Sequence, residues 1–385
     1  MESALYWMWL ADAVGSGCAR AGELLDAWSD PAALYAHLRA GGKAPACLSR
    51  TAVSRLRRTE PDALAARLEQ CAALGVTVLT PADAAYPDRL RALPDRPLAL
   101  YATGDVACLN GRHYAAVVGT RRPTRYGVEA CRAIAGALAG AGAVVVSGLA
   151  DGLDSEAHRA AVEAHGLTAA FLGTAIDKTF PAANAGLRRD IEESGGVIVS
   201  EYPPGYTGRA AGTFLARNRL IAGLAEAVCV AEARLRSGTL NTVSHAERYG
   251  RTVLAVPGSI FSPTCEGTND LLRARRAAAL CKAGDALEAV GLDPAAAAPT
   301  AVAETAAPLS PDAAAALAAL GPVPRTPDEV AAAAGLPIQR ALVALTELEF
   351  AGAAAVQPGH SYIPLKKTPR ARRAARPRVA HFSPP

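Results

Sequence analysis

The sequence has few aromatic residues, and its cysteines are dispersed. Phe, Trp and Tyr make up 5% of the 385 residues, so the core has to be built mainly from Val, Leu, Ile and Ala. The eight cysteines include no CxxC pair, which argues against a structural zinc site or a redox dithiol. Most lie inside apolar runs, as Cys229 does in AVCVAEA, and are typical of buried, reduced thiols in a cytosolic protein.

Long hydrophobic runs and catalytic motifs are also missing. No stretch of about 18 residues is apolar without a charge, glycine or proline, and the N-terminus carries Glu2 but no basic segment, so we expect a cytoplasmic protein without membrane span or signal peptide. HExxH, GxSxG and Walker motifs are absent. His158 and His165 lack an obvious carboxylate or serine partner, and the acidic residues are dispersed. We therefore predict no catalytic residue, no metal site and no cofactor.

The positive charge is concentrated near the C-terminus. Residues 366–378 contain seven basic residues and no acidic one, and without them the net charge of +4 becomes −3. Any nucleic acid bound by the rest of the chain therefore has to meet a local basic patch.

Composition divides the chain into five segments. Residues 1–75 have the pattern of short packed helices and predict a helical domain of the SAM or helix-hairpin-helix type. Its arginines 50, 55, 57 and 58 fit a DNA-binding helix pair, but the segment equally fits a packing or dimerisation module. The main domain is expected over 76–290, entered through a proline-rich connector up to residue 101. An Ala/Pro-rich linker (291–309), a winged-helix-like domain (310–365) and a basic, disordered tail (366–385) follow.

Short apolar runs alternate with helical segments in the main domain. Six runs are apolar on both faces, as in strands buried in a parallel sheet: Ala115–Val118, Val144–Val146, Ala169–Leu172, Val197–Val199, Ala227–Ala231 and Val253–Val256. The sequence therefore predicts an α/β fold with an extended Rossmann-type, doubly wound and mostly parallel sheet. The small N-terminal helical domain and the C-terminal winged-helix-like domain flank it.

Glycine, hydroxyl and arginine residues follow these strands, at the edge where doubly wound sheets bind ligands. The loops contain Gly119-Thr120-Arg121-Arg122, Ser147-Gly148, Gly173 with Lys178, Arg217-Asn218-Arg219, and Arg236-Ser237-Gly238-Thr239. Taken singly, each loop also fits a tight turn or an arginine paired with a nearby carboxylate. Together they favour binding of a polyphosphate or a nucleic-acid backbone. Tyr126, Tyr202 and Phe261 are the candidate aromatic residues for stacking on bases.

The same segments resemble, in order, the signature of the DNA-processing protein A (DprA/Smf) family. The matching segments are VVGTRRPTRYG (117–127), SGLADGLDSEAH (147–158), FLGTAIDKTFPAAN (171–184), VSEYPPG (199–205), RNRLIAGL (217–224), RSGTLNT (236–242) and VPGSIFSPTCEGTN (256–269). The resemblance is strong over residues 85–290 and weaker in the N-terminal helices and the winged helix.

The resemblance implies a non-catalytic protein that binds and protects single-stranded DNA, forms a homodimer, and loads the RecA recombinase during natural transformation. By position, Arg121 would be the main phosphate contact. The DNA-binding residues carried over are Gly119, Thr120, Arg121, Arg122, Ser147, Gly148, Gly173, Lys178, Arg217, Asn218, Arg219, Arg236, Ser237, Gly238 and Thr239. Engagement of Arg121, Arg217, Arg219 and Lys178 predicts a salt slope of about −0.7 per phosphate contact.

Some residues depart from the family pattern. Asp151 adds a negative charge to the second loop, Leu215-Ala216 replaces a proline and an arginine, and Asn241 replaces an aliphatic residue. The first two changes lower the local positive potential, and the basic tail is a candidate for compensation.

Two other functions fit parts of the sequence. One is a nucleotide phosphoribohydrolase of the LOG-like Rossmann group, for which Gly238, Thr239 and Glu247 would be the site, although that group's glycine pair is absent. The other is a nucleotide-sensing regulator that reads duplex DNA through the winged helix. Its predicted recognition helix, 338–351, has only Arg340 as a basic residue, which favours a protein-interaction role instead.

Overall fold

The computed structural model describes residues 2–18, 20–208, 210–297, 309–321, 323–351, 353–357 and 360–364. The chain forms two compact units, Met1–Thr300 and Ala301–Pro385. The predicted basic tail lies outside the described residues. Of the predicted linker, residues 294–297 form a 3-10 turn, and Pro294 lies against Gly284.

The first unit begins with short helices around an apolar core. The helices are α1 (Glu2–Val14), α2 (Ala21–Ala27), α3 (Pro31–Arg39), α4 (Arg50–Arg58) and α5 (Ala65–Ala73). Asp30 caps α3 by accepting a hydrogen bond from Ala32 N at 2.9 Å, and Ser49 caps α4 by accepting one from Ala52 N at 3.1 Å. Trp9 is buried at the centre and its indole N–H donates to Thr59 O at 3.0 Å, which joins α1 to the end of α4.

A nine-stranded sheet forms the centre of this unit. Its strands are β1 (Thr77–Leu79), β2 (Leu100–Gly104), β3 (Tyr114–Gly119), β4 (Val144–Ser147), β5 (Thr168–Leu172), β6 (Val197–Ser200), β7 (Ala227–Glu232), β8 (Thr252–Ala255) and β9 (Ala278–Ala279). They are arranged in the order β1-β2-β6-β5-β4-β3-β7-β8-β9. Strands β3 to β9 are parallel, and β3 to β8 correspond to the six predicted runs.

The segment predicted as a connector supplies two further strands. β2 pairs antiparallel with β6, with Tyr101 opposite Ser200, and β1 pairs antiparallel with β2. The connector prediction was therefore incomplete. Prolines 81, 87, 94 and 97 lie between the two strands. Their lack of a backbone N–H therefore removes no hydrogen bond from the sheet.

Helices cover both faces of the sheet. They are α6 (Asp88–Arg91), α7 (Arg125–Gly140), α8 (Leu153–Glu163), α9 (Ala185–Glu193), α10 (Ala210–Leu224), α11 (Thr239–Arg248), α12 (Glu266–Arg273) and α13 (Ala283–Ala289). Alternate strand residues face opposite layers. Ala116 and Val118 of β3 pack in the cluster with α10 and α11, whereas Ala115 and Val117 pack in the cluster with α7 and α8.

The order of the strands places a crevice at a defined position. From β3 the chain continues to β4, β5 and β6 on one side, and then returns to β7 and β8 on the other side of β3. The helices that follow β3 and β7 therefore pack on opposite faces of the sheet, and a crevice opens between their starts. This is the topological switch point at which doubly wound folds bind ligands.

The second unit contains three helices and a hairpin. They are α14 (Pro311–Ala319), α15 (Pro327–Ala334), α16 (Ile338–Phe350), β10 (Ala354–Gln357) and β11 (Ser361–Pro364). Thr326 and Glu329 form a capping box at the start of α15. The helices enclose Val330 and Leu345, and the hairpin adds Tyr362, so the unit has the winged-helix pattern predicted from the sequence.

Among the described helices of both units, none has the length and apolar character needed to span a bilayer.

Candidate functional site

A pocket of about 530 Å³ opens at the carboxyl ends of β3 and β7, at the switch point. The predicted residues that line it are Gly119, Thr120, Arg121, Arg217, Asn218, Ser237, Gly238 and Thr239. Val118, Ala150, Asp154, Phe214, Leu215, Ile221 and Thr242 complete the wall. The structure thus brings together residues as distant in the sequence as Val118 and Thr242.

The loop after β3 is held from both sides. Thr120 N donates to Glu232 O of β7 at 2.8 Å, and Thr120 O accepts from Leu153 N of α8 at 3.2 Å. Gly152, with φ of +76°, lies so close that a Cβ would overlap the Thr120 carbonyl and the Arg121 backbone. Arg121 is therefore an exposed cation on a fixed backbone. Its guanidinium carbon lies 5.5 Å from the centre of the Phe214 ring.

Glu232, at the end of β7, anchors the neighbouring loops. This carboxylate is buried and accepts hydrogen bonds from Thr124 N at 2.9 Å, from Thr124 Oγ1 at 3.0 Å and from Thr264 Oγ1. The Glu232 carboxylate therefore joins the start of α7 to the loop after β8 through these hydrogen bonds. Glu232 was not among the predicted site residues, and the sequence signal for it is an acidic residue at the end of an apolar strand, in AVCVAEA.

The loop after β7 brings the start of α11 to the pocket. Thr239 Oγ1 donates to Gly119 O at 3.0 Å, which ties this loop to the one after β3. Gly238 is the N-cap residue of α11 and forms no side-chain cap. The Ser237 hydroxyl is buried without a partner among the described residues. A helix start without a side-chain cap, beside a hydroxyl without a partner, is suited to an anion.

Arg217 forms the floor of the pocket. It is 4% exposed, and its Nη1 donates to Gly148 O at 2.6 Å and to Phe171 O, at the carboxyl ends of β4 and β5. Burial lowers the pKa of this guanidinium to about 10, which leaves it charged at neutral pH. Asp154 is buried nearby, and burial raises the pKa of its carboxyl against the opposing effect of Arg217. Arg217 therefore stabilises the edge of the sheet as well as lining the pocket.

The loop after β4 supports this floor from below. Ser147 is buried and donates to Val117 O at 2.7 Å, so neither Ser147 nor Gly148 lines the pocket. Leu149 has φ of +52°, and its amide donates to His158 Nε2 at 3.3 Å. The buried His158 ring contacts Thr168 Oγ1 through Nδ1 at 2.6 Å. His158 thus holds the loop that carries the Gly148 carbonyl.

Arg219 is turned away from the pocket. Positions 217 and 219 are about 200° apart around a helix, so the two arginines of α10 face opposite sides. The Arg219 guanidinium is 2% exposed and forms a buried ion pair with Glu201, close to Gly17 of the N-terminal helices. The structure therefore gives Arg219 a role in joining the helical segment to the sheet.

The remaining predicted residues are not part of the pocket lining. Arg122, Lys178 and Arg236 are exposed. Gly173 lies against the Phe214 ring, where a side chain would overlap it.

Phe214 is the main pocket residue that was not predicted from the sequence. It lies three residues before Arg217 on α10, which places both side chains on one face of the helix. This spacing could have identified Phe214 as a pocket residue from the sequence. The half-exposed Phe180 ring lies 5.6 Å from it, centre to centre. Of the aromatic residues proposed for stacking, Tyr202 is buried, Tyr126 donates to Pro257 O at 2.7 Å, and Phe261 is exposed.

The chemistry of the pocket suits an anion. Its donors are guanidinium groups, hydroxyls and the start of a helix, and the described residues contain no cluster of three His, Cys, Asp or Glu side chains suited to a metal. Glu247, the acid of the alternative hydrolase site, lies near the far end of α11 and accepts hydrogen bonds from Arg276 at 2.7 and 2.8 Å. Among the described residues that line the pocket, Asp154 is the acidic one, and its side chain is buried.

The fold and the pocket define a class of protein: a Rossmann-type α/β protein with a cationic pocket at the switch point, followed by a winged-helix unit. Residues 77–291 match the family profile of DNA recombination-mediator protein A, and residues 293–360 match the DprA winged helix domain. The chain belongs to the DNA recombination-mediator protein A family, as the sequence resemblance predicted.

Relatives with curated names support the same assignment. Protein Smf of Escherichia coli is 40% identical over 196 residues, which are 51% of this chain and 52% of that protein. The DNA processing protein DprA of Bacillus subtilis is 35% identical over 228 residues, which are 59% of this chain and 74% of that protein. The chain therefore spans between about half and three quarters of the length of these relatives.

Solved structures agree with the fold. The DprA structure from Streptococcus pneumoniae has a TM-score of 0.60 and 28% identity, and the match covers 74% of this chain and 97% of that one. DprA from Helicobacter pylori, described in terms of its single-stranded DNA binding mode, has a TM-score of 0.50 and 30% identity, with 55% and 94% covered.

Proposed function

We propose that the pocket binds the backbone of single-stranded DNA and that the chain acts without catalysing a reaction. The observation that carries this proposal is the position of Arg121, exposed on a fixed loop beside the uncapped start of α11. A cation and the positive end of a helix at one opening can share a phosphate. The single-stranded DNA binding mode described for the Helicobacter pylori relative supports the proposal.

The aromatic rings favour a single strand over a duplex. Phe214 lines the pocket, and Phe180 lies half-exposed beside it. Stacking on such rings requires the flat face of a base, which a duplex keeps inside its own stack. Because the pocket offers phosphate contacts and stacking surfaces, binding should tolerate any sequence.

The cellular role that we propose is based on membership of the family. A cytoplasmic DprA-type protein of this kind would protect incoming single strands, act as a homodimer and load a RecA-type recombinase during natural transformation. The winged-helix unit fits a protein contact better than duplex reading, because Arg340 on α16 is bound to Asp312 through two hydrogen bonds of 2.6 Å.

Fluorescence anisotropy tests the pocket directly. Labelled oligo-dT and a matched duplex are titrated across a salt series with the unchanged protein, Arg121→Ala and Arg112→Ala. Arg112 is an equally exposed arginine that precedes β3, at the opposite edge of the sheet, and serves as the matched control.

We expect preference for the single strand and a loss of about tenfold to a hundredfold in affinity for Arg121→Ala, since a charge-assisted hydrogen bond is worth about 1.5–3 kcal/mol. The salt slope should become shallower by about 0.7. Equal behaviour of Arg121→Ala and Arg112→Ala would contradict the proposal.

A further inference from the structure

Two large apolar side chains project from the loop after β8. Phe261 is 89% exposed and Ile260 is 81% exposed, in a loop that runs from Pro257 to Thr264 and is called here the Phe261 loop. Phenylalanine is usually buried in proteins, and neighbouring exposed apolar side chains are characteristic of binding surfaces.

The Phe261 loop is held in place at its base and at its turn. Gly258 and Asn269 exchange hydrogen bonds of 3.1 Å, and Thr264 Oγ1 donates to Glu232. At the turn, Phe261 N donates to Ser259 Oγ at 3.2 Å, and Ser262 N donates to Ser259 O at 3.1 Å. These bonds fix the backbone that displays Phe261, so its exposure is a property of the folded loop.

The loop adjoins the pocket through shared anchors. Glu232 binds Thr264 of the Phe261 loop and Thr124, which follows the Arg121 loop. The segment that lines the other side of the pocket starts directly after Glu232, and Gly267 N donates to Ala233 O at 2.8 Å. The loops after β3, β7 and β8 therefore meet at one residue.

Positive charge lies along the same edge. Arg122, Arg234 and Arg236 are exposed and form no ion pair with any other described residue. Glu266, at the first position of α12, is an exposed acid beside them. Aromatic and apolar side chains interleaved with arginines match single-stranded nucleic acid better than an apolar protein partner.

We propose that the Phe261 loop is a second base-stacking subsite, over which a single strand continues after it leaves the pocket. This inference rests on the proposed function and extends it. β3 and β8 are separated by two strand spacings, about 10 Å. A single strand of a few nucleotides would therefore place a base near Phe261 while one of its phosphates remains at Arg121.

Binding as a function of oligonucleotide length tests the subsite. Phe261→Ala should bind the shortest oligo-dT that fills the pocket as well as the unchanged protein does. For longer oligo-dT, its affinity should be lower by about fivefold to a hundredfold, the effect of one stacked base. Phe261→Trp should restore the affinity and Phe261→Leu should not, because leucine keeps the apolar surface without a ring.

Fluorescence reports the contact itself. Phe261→Trp places an indole at the loop, and its emission should be quenched by long oligo-dT beyond any change in the unchanged protein. An oligomer of the same length whose bases are removed at the corresponding positions should leave this emission unchanged.

The outcomes separate the two proposals. If Arg121→Ala loses affinity while Phe261→Ala binds all lengths normally, the pocket is retained and the subsite is overturned. A change in sedimentation of Phe261→Ala under those conditions would identify the loop as a protein contact. If the unchanged protein binds no length of oligo-dT at low salt, the proposed function fails as well.

Discussion

Protonation of His158 should destabilise the protein at mildly acidic pH. His158 is fully buried, and desolvation, followed by the charge of Arg217, lowers the pKa of its imidazole to about 3. Its Nε2 accepts a hydrogen bond from Leu149 N at 3.3 Å, so a proton on that atom would leave two donors facing each other. The neutral ring is therefore part of the structure of the loop.

The sign and size of the effect follow from the two pKa values. The unfolded chain binds a proton near pH 6.5, whereas the folded chain binds it only near pH 3. The stabilising contribution is complete above pH 6.5 and is lost as the pH falls towards 3, by about 1.4 kcal/mol per pH unit. The loss amounts to about 2 kcal/mol at pH 5 and roughly 5 kcal/mol in total.

Urea unfolding between pH 7.5 and pH 4.5 measures this contribution. His158→Asn should be less stable at neutral pH, and its stability should depend less on pH than that of the unchanged protein. His165→Asn is the control for replacing a histidine, because His165 is exposed at the end of the same helical segment and its replacement should change the stability little. Parallel pH curves for the unchanged protein and His158→Asn would refute the argument.

Further predictions concern the pocket and the tail. Gly152→Ala should reduce the free energy of unfolding by about 2–4 kcal/mol and weaken DNA binding, because the added methyl group meets the Thr120–Arg121 backbone. Gly142→Ala is the control, because Gly142 has φ of +90° but nothing lies within 4 Å of the added methyl group. It should reduce the free energy of unfolding by only about 1 kcal/mol and bind DNA normally. Thermal unfolding and anisotropy distinguish the two, and equal affinities would contradict the steric argument. Asp154→Asn removes a buried negative charge beside Arg217 and should therefore tighten oligo-dT binding severalfold at neutral pH. Weaker binding would show instead that the carboxylate is needed to position the arginine. Deletion of residues 366–385 should reduce affinity and make the salt slope shallower, and unchanged affinity at physiological salt would exclude compensation by the tail.

The central strands could be predicted because burial on both faces leaves continuous apolar runs. Val144–Val146, for example, form the buried middle of a parallel sheet, and such a run has few other interpretations. β1 escaped prediction for the opposite reason. β1 is a three-residue strand at the edge of the sheet, and its pairing is set by contacts with β2 that no local pattern records.

The site was predictable at the level of loops and less so at the level of side chains. Topology brings the loops after parallel strands to one edge, so Arg121 and the Ser237–Thr239 segment could be placed together from the sequence. The direction of each side chain depends on packing. Helical phase separates Arg217 from Arg219, but only the structure shows that Arg217 ends on the carbonyls of Gly148 and Phe171.

The burial of these arginines changes the expected electrostatics of binding. Arg217 has Asp154 beside it and Arg219 is paired with Glu201, so each buried cation is largely balanced by a buried anion. Neither side chain can release a condensed counterion from DNA as an exposed arginine can. The free positive charge at the opening is therefore that of Arg121, and Arg122, Lys178 and Arg236 are further exposed cations in the loops that follow the strands. A salt slope calculated from the exposed residues should describe binding better than one calculated from Arg217 and Arg219, because counterion release depends on charges that reach the phosphates.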